Sequence, residues 1–276
     1  MRPSDLIPAA ALAVMAGAAV AAPPERVVSI NLCTDQLAML LADEGQLVSV
    51  SHMALDPLSS AMVEEAQGYT VNRGGAEQVY LMHPDLVLAG TYTSPATVGL
   101  LRSLGVRVVQ VAPVDSLADV GEQMRLVAAE LGHPERGEAM ATAFEAELSA
   151  ITAQGEPVPA AMYYPNGYTA GAGTLSDEIL TRTGFRNIGA EAGLTGGGTL
   201  PLERLVMAEP RVIVTSTPYP GASRSEEILV HPALAALREG ATSAQVRDAD
   251  WVCGTPHLMN AVRTMAQTRA ALGVAE

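Results

Sequence analysis

A short sequence pattern occurs twice in the chain, with its two copies 126 residues apart. The first copy, residues 77–88, reads EQVYLMHPDLVL, and the second, residues 203–214, reads ERLVMAEPRVIV. In each copy a glutamate opens a short helical segment and a proline precedes a β-branched run, and glycines lie upstream of both. Chance similarity of two helix–strand units is the alternative explanation. The matched register favours a chain built from two similar halves.

Short β-branched segments alternate with helical patterns along both halves of the chain. Such alternation is typical of parallel sheets covered by helices on both faces, and it predicts an α/β fold. The predicted strands are residues 26–30, 47–50, 85–89, 106–111, 160–164 and 211–215. The predicted helices are residues 34–42, 95–104, 116–131, 176–184, 225–238 and a last one from Pro256 onward.

One longer helical pattern separates the two halves. It begins at Pro134, where the missing N–H of proline costs no hydrogen bond, and continues to about Ala153. A helix of that length spans ~30 Å, which is enough to bridge two lobes. The expected boundaries are therefore a signal peptide, a first lobe, a connecting helix and a second lobe, at residues 1–22, 23–133, 134–155 and 156–276.

The amino terminus has the pattern of a secretory signal. A basic start at Arg2 precedes an apolar run that ends in Ala19-Val20-Ala21, a typical cleavage pattern. A retained membrane anchor is the alternative. We expect an exported, periplasmic protein. The formal net charge of −14 argues against binding to nucleic acid or to anionic lipid.

Motifs of common enzyme classes are not found in the sequence. No G-x-S-x-G or H-E-x-x-H pattern occurs, residues 171–176 lack the third glycine of a dinucleotide loop, and no lysine follows the glycines at 196–198. We therefore expect a protein that is not an enzyme. An exported α/β hydrolase remains the alternative from a different functional class.

The arrangement of these motifs resembles one known family. A strand followed by N-L-C-T-D-Q, the repeated E-x-[VL]-x-x-x-x-P pattern and Asp250-Trp251 are similar to the periplasmic substrate-binding proteins of iron-siderophore, haem and vitamin B12 ABC importers. The similarity covers residues 25–275. It implies two Rossmann-like α/β lobes joined by one long rigid α-helix, with a ligand cleft between them. Because bending a helix breaks its hydrogen bonds, we expect the cleft to close only modestly on ligand binding.

The residues expected to line that cleft follow the predicted strands, because ligands bind at the carboxyl ends of strands in open α/β sheets. Rigid aromatic side chains suit a large chelate, since they bury much area at low entropic cost. Tyrosines that simply border a core are the alternative. The candidate ligand-binding residues are Asn31, Cys33, Thr34, His52, Tyr92, Thr93, Tyr164, Tyr168, Tyr219 and Trp251.

The ligand expected from the resemblance is a corrinoid or a ferric siderophore, and no intrinsic cofactor or resident metal is expected. Only Arg73 and Arg224 are candidates to contact an anionic catecholate, which favours a neutral or weakly charged chelate. Haem is a further alternative. A free-metal site formed by His52, His257 and the two cysteines is another.

Three further expectations concern partners and cysteines. The resemblance implies that Glu77 and Glu203, one on each lobe, dock onto arginines of an ABC importer permease dimer; stabilisation of their own helices is the alternative. The protein itself is expected to be a monomer. Cys33 and Cys253 are the only cysteines, and either a disulfide or two separate thiols fits an exported protein.

Overall fold

The computed structural model describes residues 22–153, 155–215 and 223–273. Within them the chain forms two α/β lobes, each built on a parallel sheet with helices on its faces. The α/β fold expected from the sequence is confirmed. The predicted signal peptide, apart from Ala22, lies outside the described residues. No helix of the described residues is long and apolar enough to cross a membrane.

The first lobe contains a five-stranded sheet in the order β3-β2-β1-β4-β5, and every neighbouring pair is parallel. A single 3₁₀ turn, residues 52–55, follows the second strand. The elements are β1 (Val27–Ser29), α1 (Leu32–Leu41), β2 (Leu47–Ser51), α2 (Val63–Ala66), β3 (Thr70–Asn72), α3 (Ala76–Tyr80), β4 (Leu86–Gly90), α4 (Pro95–Ser103), β5 (Arg107–Val111) and α5 (Leu117–Leu131).

The helix that leads out of the first lobe is α6 (Pro134–Ala150). It packs closely on α5, because a Cβ at Gly137 would lie only 2.4 Å from the Cβ of Ala128. The helix ends at Ala150, earlier than the sequence pattern predicts, and Ile151 is already extended. Thr152 and Gly155 follow, and both have lower helix propensity than alanine.

The second lobe contains a four-stranded parallel sheet in the order β11-β10-β6-β8 and a separate antiparallel pair, β7-β9. The single helix predicted for residues 225–238 is in fact a 3₁₀ segment followed by a helix that starts at a proline. The elements are β6 (Val158–Met162), β7 (Tyr168–Ala170), α7 (Leu175–Arg182), β8 (Phe185–Asn187), α8 (Ile188–Glu191), β9 (Gly197–Thr199), α9 (Leu202–Met207), β10 (Val212–Thr215), α10 (Pro232–Gly240), β11 (Thr242–Gln245) and α11 (Leu258–Gly273).

The two copies of the sequence repeat adopt the same local structure. Each forms a short helix, α3 or α9, then a proline and a central strand, β4 or β10. The residue before each proline, His83 or Glu209, has a positive φ of 52° or 46°. Proline disfavours the ordinary helical region for the residue before it, and in both copies that residue is left-handed and lies just beyond the end of the helix. The repeat is therefore structural as well as sequential.

The apolar core has one part shared by both lobes and one outer part in each lobe. The shared cluster includes Leu37, Met124, Phe144, Met162 and Met265, and so runs through α1, α5, α6, β6 and α11. The outer cluster of the first lobe lies beneath α3 and α4. That of the second lobe lies beneath α9 and α10. The helices that carry the repeat thus belong to the outer layers.

Candidate functional site

A cavity of about 320 Å³ lies between the two lobes. On the first lobe it is bordered by residues at the carboxyl ends of β1, β4 and β5, which is where parallel sheets place ligand sites. On the second lobe it is bordered by the residues at the start of α7 and by those after the 3₁₀ turn at 248–250. The lining residues are Asn31, Cys33, Thr34, Gly90–Tyr92, Val111–Asp115, Gln123, Thr174–Ser176, Trp251, Val252 and Gly254.

The first-lobe wall is fixed by local hydrogen bonds at the start of α1. Asn31 caps this helix, and its Oδ1 accepts hydrogen bonds from the N–H groups of Cys33 at 3.1 Å and Thr34 at 3.4 Å. The buried Thr34 hydroxyl donates to the Asn31 carbonyl oxygen at 3.0 Å. Gly90 is needed beside them, because a Cβ there would lie 2.8 Å from Asn31 Nδ2. Thr34 therefore shapes the wall, and Asn31 borders the cavity from a fixed position.

Trp251 borders the cavity on the second-lobe side, and the predicted site residue Tyr164 does not border it but packs against Trp251. The ring of Tyr164 packs edge-on against Trp251, with centroids 6.4 Å apart, and lies 6.5 Å from the ring of Tyr168. Burial, together with the nearby Asp248 carboxyl, holds the pKa of Tyr164 well above its ordinary value. Tyr92 borders the same cavity from the first lobe and is 90% exposed. Apolar ring faces are thus available on both lobes.

A disulfide joins the lobes at the cavity wall. It links Cys33 in α1 to Cys253 of the second lobe, and the two Cα atoms are 5.1 Å apart. The sequence left separate thiols open, and the structure has none at these positions. The alternative site with two cysteine ligands is not formed, because cysteine binds a metal as a thiolate and both sulfurs are in the disulfide. The described residues contain no cluster of three or more His, Cys, Asp or Glu side chains positioned for a metal.

Two further contacts hold the lobes together beside the cavity. The Glu178 carboxylate of α7 accepts a hydrogen bond from the Leu117 N–H of α5 at 2.6 Å. Gly254 packs against the first lobe so closely that a Cβ would lie 2.6 Å from Cγ1 of Val114 and 3.2 Å from Oε1 of Gln123. The cavity is therefore enclosed by covalent, polar and apolar contacts between the lobes.

Several residues predicted from the sequence lie elsewhere. His52 is exposed at the start of a 3₁₀ turn and does not border the cavity. Thr93 closes a turn, its hydroxyl accepting from the Gly90 N–H at 3.1 Å. Tyr168 is half-exposed and reaches the site through Tyr164. Tyr219 lies outside the described residues.

Other cavity residues were missed by the sequence reasoning. Residues 112–115 follow β5, whose end at Val111 was predicted, so the strand-end rule would have identified them. Residues 174–176 begin α7 after the short β7, and Gly254 follows the disulfide. No sequence signal marked those two segments, because neither follows an apolar run.

A buried carboxyl lies behind the first-lobe wall. Asp35 of α1 accepts hydrogen bonds from the Ser51 N–H at 3.0 Å and from the Ser51 hydroxyl at 2.5 Å. Burial raises its pKa to about 6, although these hydrogen bonds oppose the rise. Asp35 therefore joins α1 to the end of β2.

A larger groove of about 740 Å³ lies outside the interlobe cavity, between α5, α6 and α7. Its polar groups largely satisfy one another: Arg125 pairs with Glu145 at 2.8 Å, and Arg182 donates to the Leu148 carbonyl at 2.8 Å. The groove has no aromatic side chain among its lining residues. Its size makes it the natural competitor to the interlobe cavity as a binding site.

Comparison with known proteins identifies the family. The model of a periplasmic binding protein family matches residues 27–250. The chain belongs to this periplasmic binding protein family. The resemblance expected from the repeated motif is thus confirmed, and the homologous proteins are binding proteins rather than enzymes.

Among its relatives, a cobalamin-binding protein of Halobacterium salinarum is 30% identical over 219 residues, which are 76% of this chain and 58% of that protein. The chain therefore spans less than two thirds of that relative's length. A vitamin B12-binding protein of Vibrio vulnificus is 24% identical over 243 residues, covering 87% of this chain and 81% of the relative.

Solved structures show the same fold. The apo form of the periplasmic heme-binding protein RhuT from Roseiflexus sp. RS-1 aligns with a TM-score of 0.71 at 24% identity, over 90% of this chain and 97% of that one. The periplasmic vitamin B12-binding protein BtuF of Vibrio cholerae aligns with a TM-score of 0.65 at 18% identity, over 90% and 98%. This binding protein thus has the two-lobed architecture of its structural neighbours.

Proposed function

We propose that the protein is an exported receptor that captures a metal chelate between its lobes and delivers it to an ABC importer. The single observation that carries the proposal is the interlobe cavity with Tyr92 on one side and Trp251, packed against Tyr164, on the other. Flat aromatic faces suit a macrocycle or a compact chelate, since they bury apolar area while their polar edges stay available for hydrogen bonds.

A corrinoid is the favoured ligand, and a ferric siderophore is the second. Relatives named as cobalamin-binding and vitamin B12-binding proteins support the first choice. The cavity, at about 320 Å³, lies near the lower end of the ~300–1,000 Å³ that is usual for small-molecule sites. A ligand as large as a corrinoid would therefore extend from the cavity towards the exposed Tyr92.

Haem is the weaker alternative. A tyrosine that ligates haem iron does so most readily as a phenolate. Burial raises the pKa of Tyr164 and opposes that form. Tyr92, at 90% exposure, would have to serve instead.

The test of ligand capture uses Trp251, the only tryptophan of the chain, as the reporter. Its fluorescence is followed while cobinamide, vitamin B12, a ferric hydroxamate and haemin are added in turn. We expect saturable quenching by a corrinoid or the ferric hydroxamate, and weaker binding in Tyr164→Ala and Tyr92→Ala. Leu126→Ala, on the exposed side of α5, serves as the control and should bind as the wild type does. A flat response to all four compounds would remove the proposal.

Delivery to the permease is assigned to Glu77 and Glu203. Both side chains are exposed, in the first turns of α3 and α9, and neither takes part in an ion pair within the described parts of the chain. Unpaired carboxylates on two matched helices suit a partner with two basic sites, and the net charge of −14 favours approach to it. Glu77→Arg with Glu203→Arg should abolish transport and leave ligand affinity unchanged. Surviving uptake would overturn the assignment.

Export through a cleaved signal at residues 1–22 completes the proposal. The sequence pattern at Ala19-Val20-Ala21 supports it. Amino-terminal sequencing of the protein recovered from the periplasm should begin close to Ala22. Recovery of the intact chain in the membrane fraction would contradict cleavage.

A further inference from the structure

Four large apolar side chains are exposed at matched positions of the repeat. Tyr80 and Leu81 are 40% and 73% exposed at the end of α3. Val206 and Met207, 126 residues later at the end of α9, are 37% and 82% exposed. We call these the two apolar pairs. The two pairs differ in residue type, but both are apolar and both are exposed at the same position on their lobe.

The exposure of each pair is set by the orientation of its helix. Val79 and Leu205, the residues just before the pairs, are completely buried in the outer clusters and fix which side of each helix faces inward. The left-handed residues His83 and Glu209 follow each pair by two residues. Each apolar pair therefore faces solvent at the carboxyl end of its helix.

Each apolar pair shares a helix face with one of the glutamates. Residues three and four positions apart are neighbours on a helix surface. Tyr80 and Leu81 follow Glu77 by three and four positions, and Val206 and Met207 follow Glu203 in the same way. Each lobe thus presents one unpaired carboxylate flanked by two exposed apolar side chains.

We propose that the two apolar pairs are docking surfaces for the two halves of the importer permease, a step that rests on the proposed delivery function. The partner is a two-fold symmetric membrane dimer. Each of its subunits would carry one basic side chain beside an apolar pocket. Charge complementarity argues for this occupant, because the glutamates and the net charge of −14 favour a basic surface. Two equivalent patches on a pseudo-symmetric chain require two equivalent sites on the partner.

The two kinds of contact have different tasks and different salt dependence. Interactions between exposed charges are screened by salt, so the glutamates govern approach and orientation at low ionic strength. Burial of apolar area does not weaken with salt in this way. The apolar pairs therefore supply the affinity that remains at high ionic strength.

The experiment measures binding of the wild-type protein and its variants to the permease dimer in lipid nanodiscs, at low and at high salt. The variants are Leu81→Gln, Met207→Gln and the two combined. Because both side chains are mostly exposed, folding should be unchanged, and the fluorescence titration with cobinamide and the ferric hydroxamate should match that of the wild type. We expect each single change to weaken binding about tenfold, or about 1.4 kcal/mol. The combined variant should lose most binding at high salt.

The outcomes separate this inference from the delivery function on which it rests. Leu126→Gln, at an exposed leucine of α5 that lies outside both copies of the repeat, is the control and should bind the permease normally. The combined variant could bind the permease as tightly as the wild type while the Glu77→Arg, Glu203→Arg protein loses binding. That result would overturn the proposed apolar contacts and leave the delivery function standing. Unchanged binding in all variants would overturn both. A wild-type dimer in light scattering that the combined variant abolishes would instead assign the pairs to self-association.

Discussion

Asp35 makes the stability of the first lobe depend on pH. Its pKa is about 6 in the folded protein, against ~3.9 for an exposed aspartate. Between these values the folded chain holds the proton more tightly than the unfolded chain. The contribution of Asp35 to the free energy of unfolding is therefore fully present below pH ~4 and is lost as the pH rises through ~6, with about 2 kcal/mol of the loss between pH ~4 and ~6.

Asp35→Asn should remove this fall, because an amide keeps an acceptor for the Ser51 N–H but does not titrate. Urea unfolding at several pH values between ~4 and ~7 measures the difference in slope between the wild type and the variant. Glu64→Gln, a change at an exposed carboxyl, is the control and should keep the wild-type slope. Equal slopes in wild type and Asp35→Asn would show that Asp35 is ionised throughout this range.

Gly254 permits the close approach of the lobes beside the cavity. Gly254→Ala should destabilise the protein by about 1–3 kcal/mol, since its Cβ would lie 2.6 Å from Cγ1 of Val114. Adding Val114→Ala removes the opposing methyl groups and should recover much of that loss. A double-mutant cycle from urea unfolding measures the coupling. If the changes in the free energy of unfolding were strictly additive, there would be no steric contact between the two residues.

The predicted positions of strand ends identified part of the cavity lining. Asn31, Thr34 and Tyr92 border it, and each follows a strand whose position the apolar pattern revealed, whereas Trp251 follows a turn that no apolar run marked. The role of each side chain was not predictable. The Thr34 hydroxyl, for example, was expected to contact the ligand, but it is buried and makes its hydrogen bonds to Ser29 and to the Asn31 carbonyl oxygen. Contacts between distant segments, such as Gly254 with Val114, leave no local pattern in a sequence.

Central strands were predictable, and of the four edge strands of the two parallel sheets only β5 was predicted. β4 and β10 are apolar runs because they lie in the middle of sheets that helices cover on both faces. β3, β8 and β11 have three or four residues with few apolar side chains, and each lies at the edge of its sheet. Their strand form comes from hydrogen bonds supplied by a neighbour, as where Ser49 pairs with Thr70.

The disulfide ties α1 to the segment after the 248–250 turn, and 220 residues separate its two ends. Cross-linking so long a loop restricts the unfolded chain, and such bonds typically add ~2–4 kcal/mol to the free energy of unfolding. Reduction with a phosphine should therefore lower the urea midpoint. The Cys33→Ser, Cys253→Ser protein should match the reduced wild type and not respond to the phosphine. Equal midpoints for oxidised and reduced protein would contradict a stabilising role.

At the scale of the whole molecule, the two halves are held by α6, the disulfide and the contact between Glu178 and Leu117. These links predict little change in the separation of the lobes when a ligand binds to the oxidised protein. Reduction removes the covalent link and should permit a larger change. Small-angle scattering of both forms, with and without cobinamide or the ferric hydroxamate, measures the radius of gyration. A large ligand-induced change in the oxidised protein would contradict this expectation.

The internal repeat explains why so much of the architecture was predictable from the sequence. Two helix–proline–strand units that align at a constant spacing of 126 residues indicated two lobes. The strands of these units, β4 and β10, lie in separate sheets. How the lobes meet was not predictable, since it depends on Cys33 with Cys253 and on Glu178 with Leu117, pairs far apart in the chain.

A chelate that binds between the lobes should lie against the aromatic side chains of the cavity. A crystal structure of the protein grown with cobinamide or with a ferric hydroxamate would show its position. We expect the chelate in the interlobe cavity, in contact with Trp251 and Tyr92. A chelate bound in the groove between α5, α6 and α7, with the interlobe cavity empty, would contradict it.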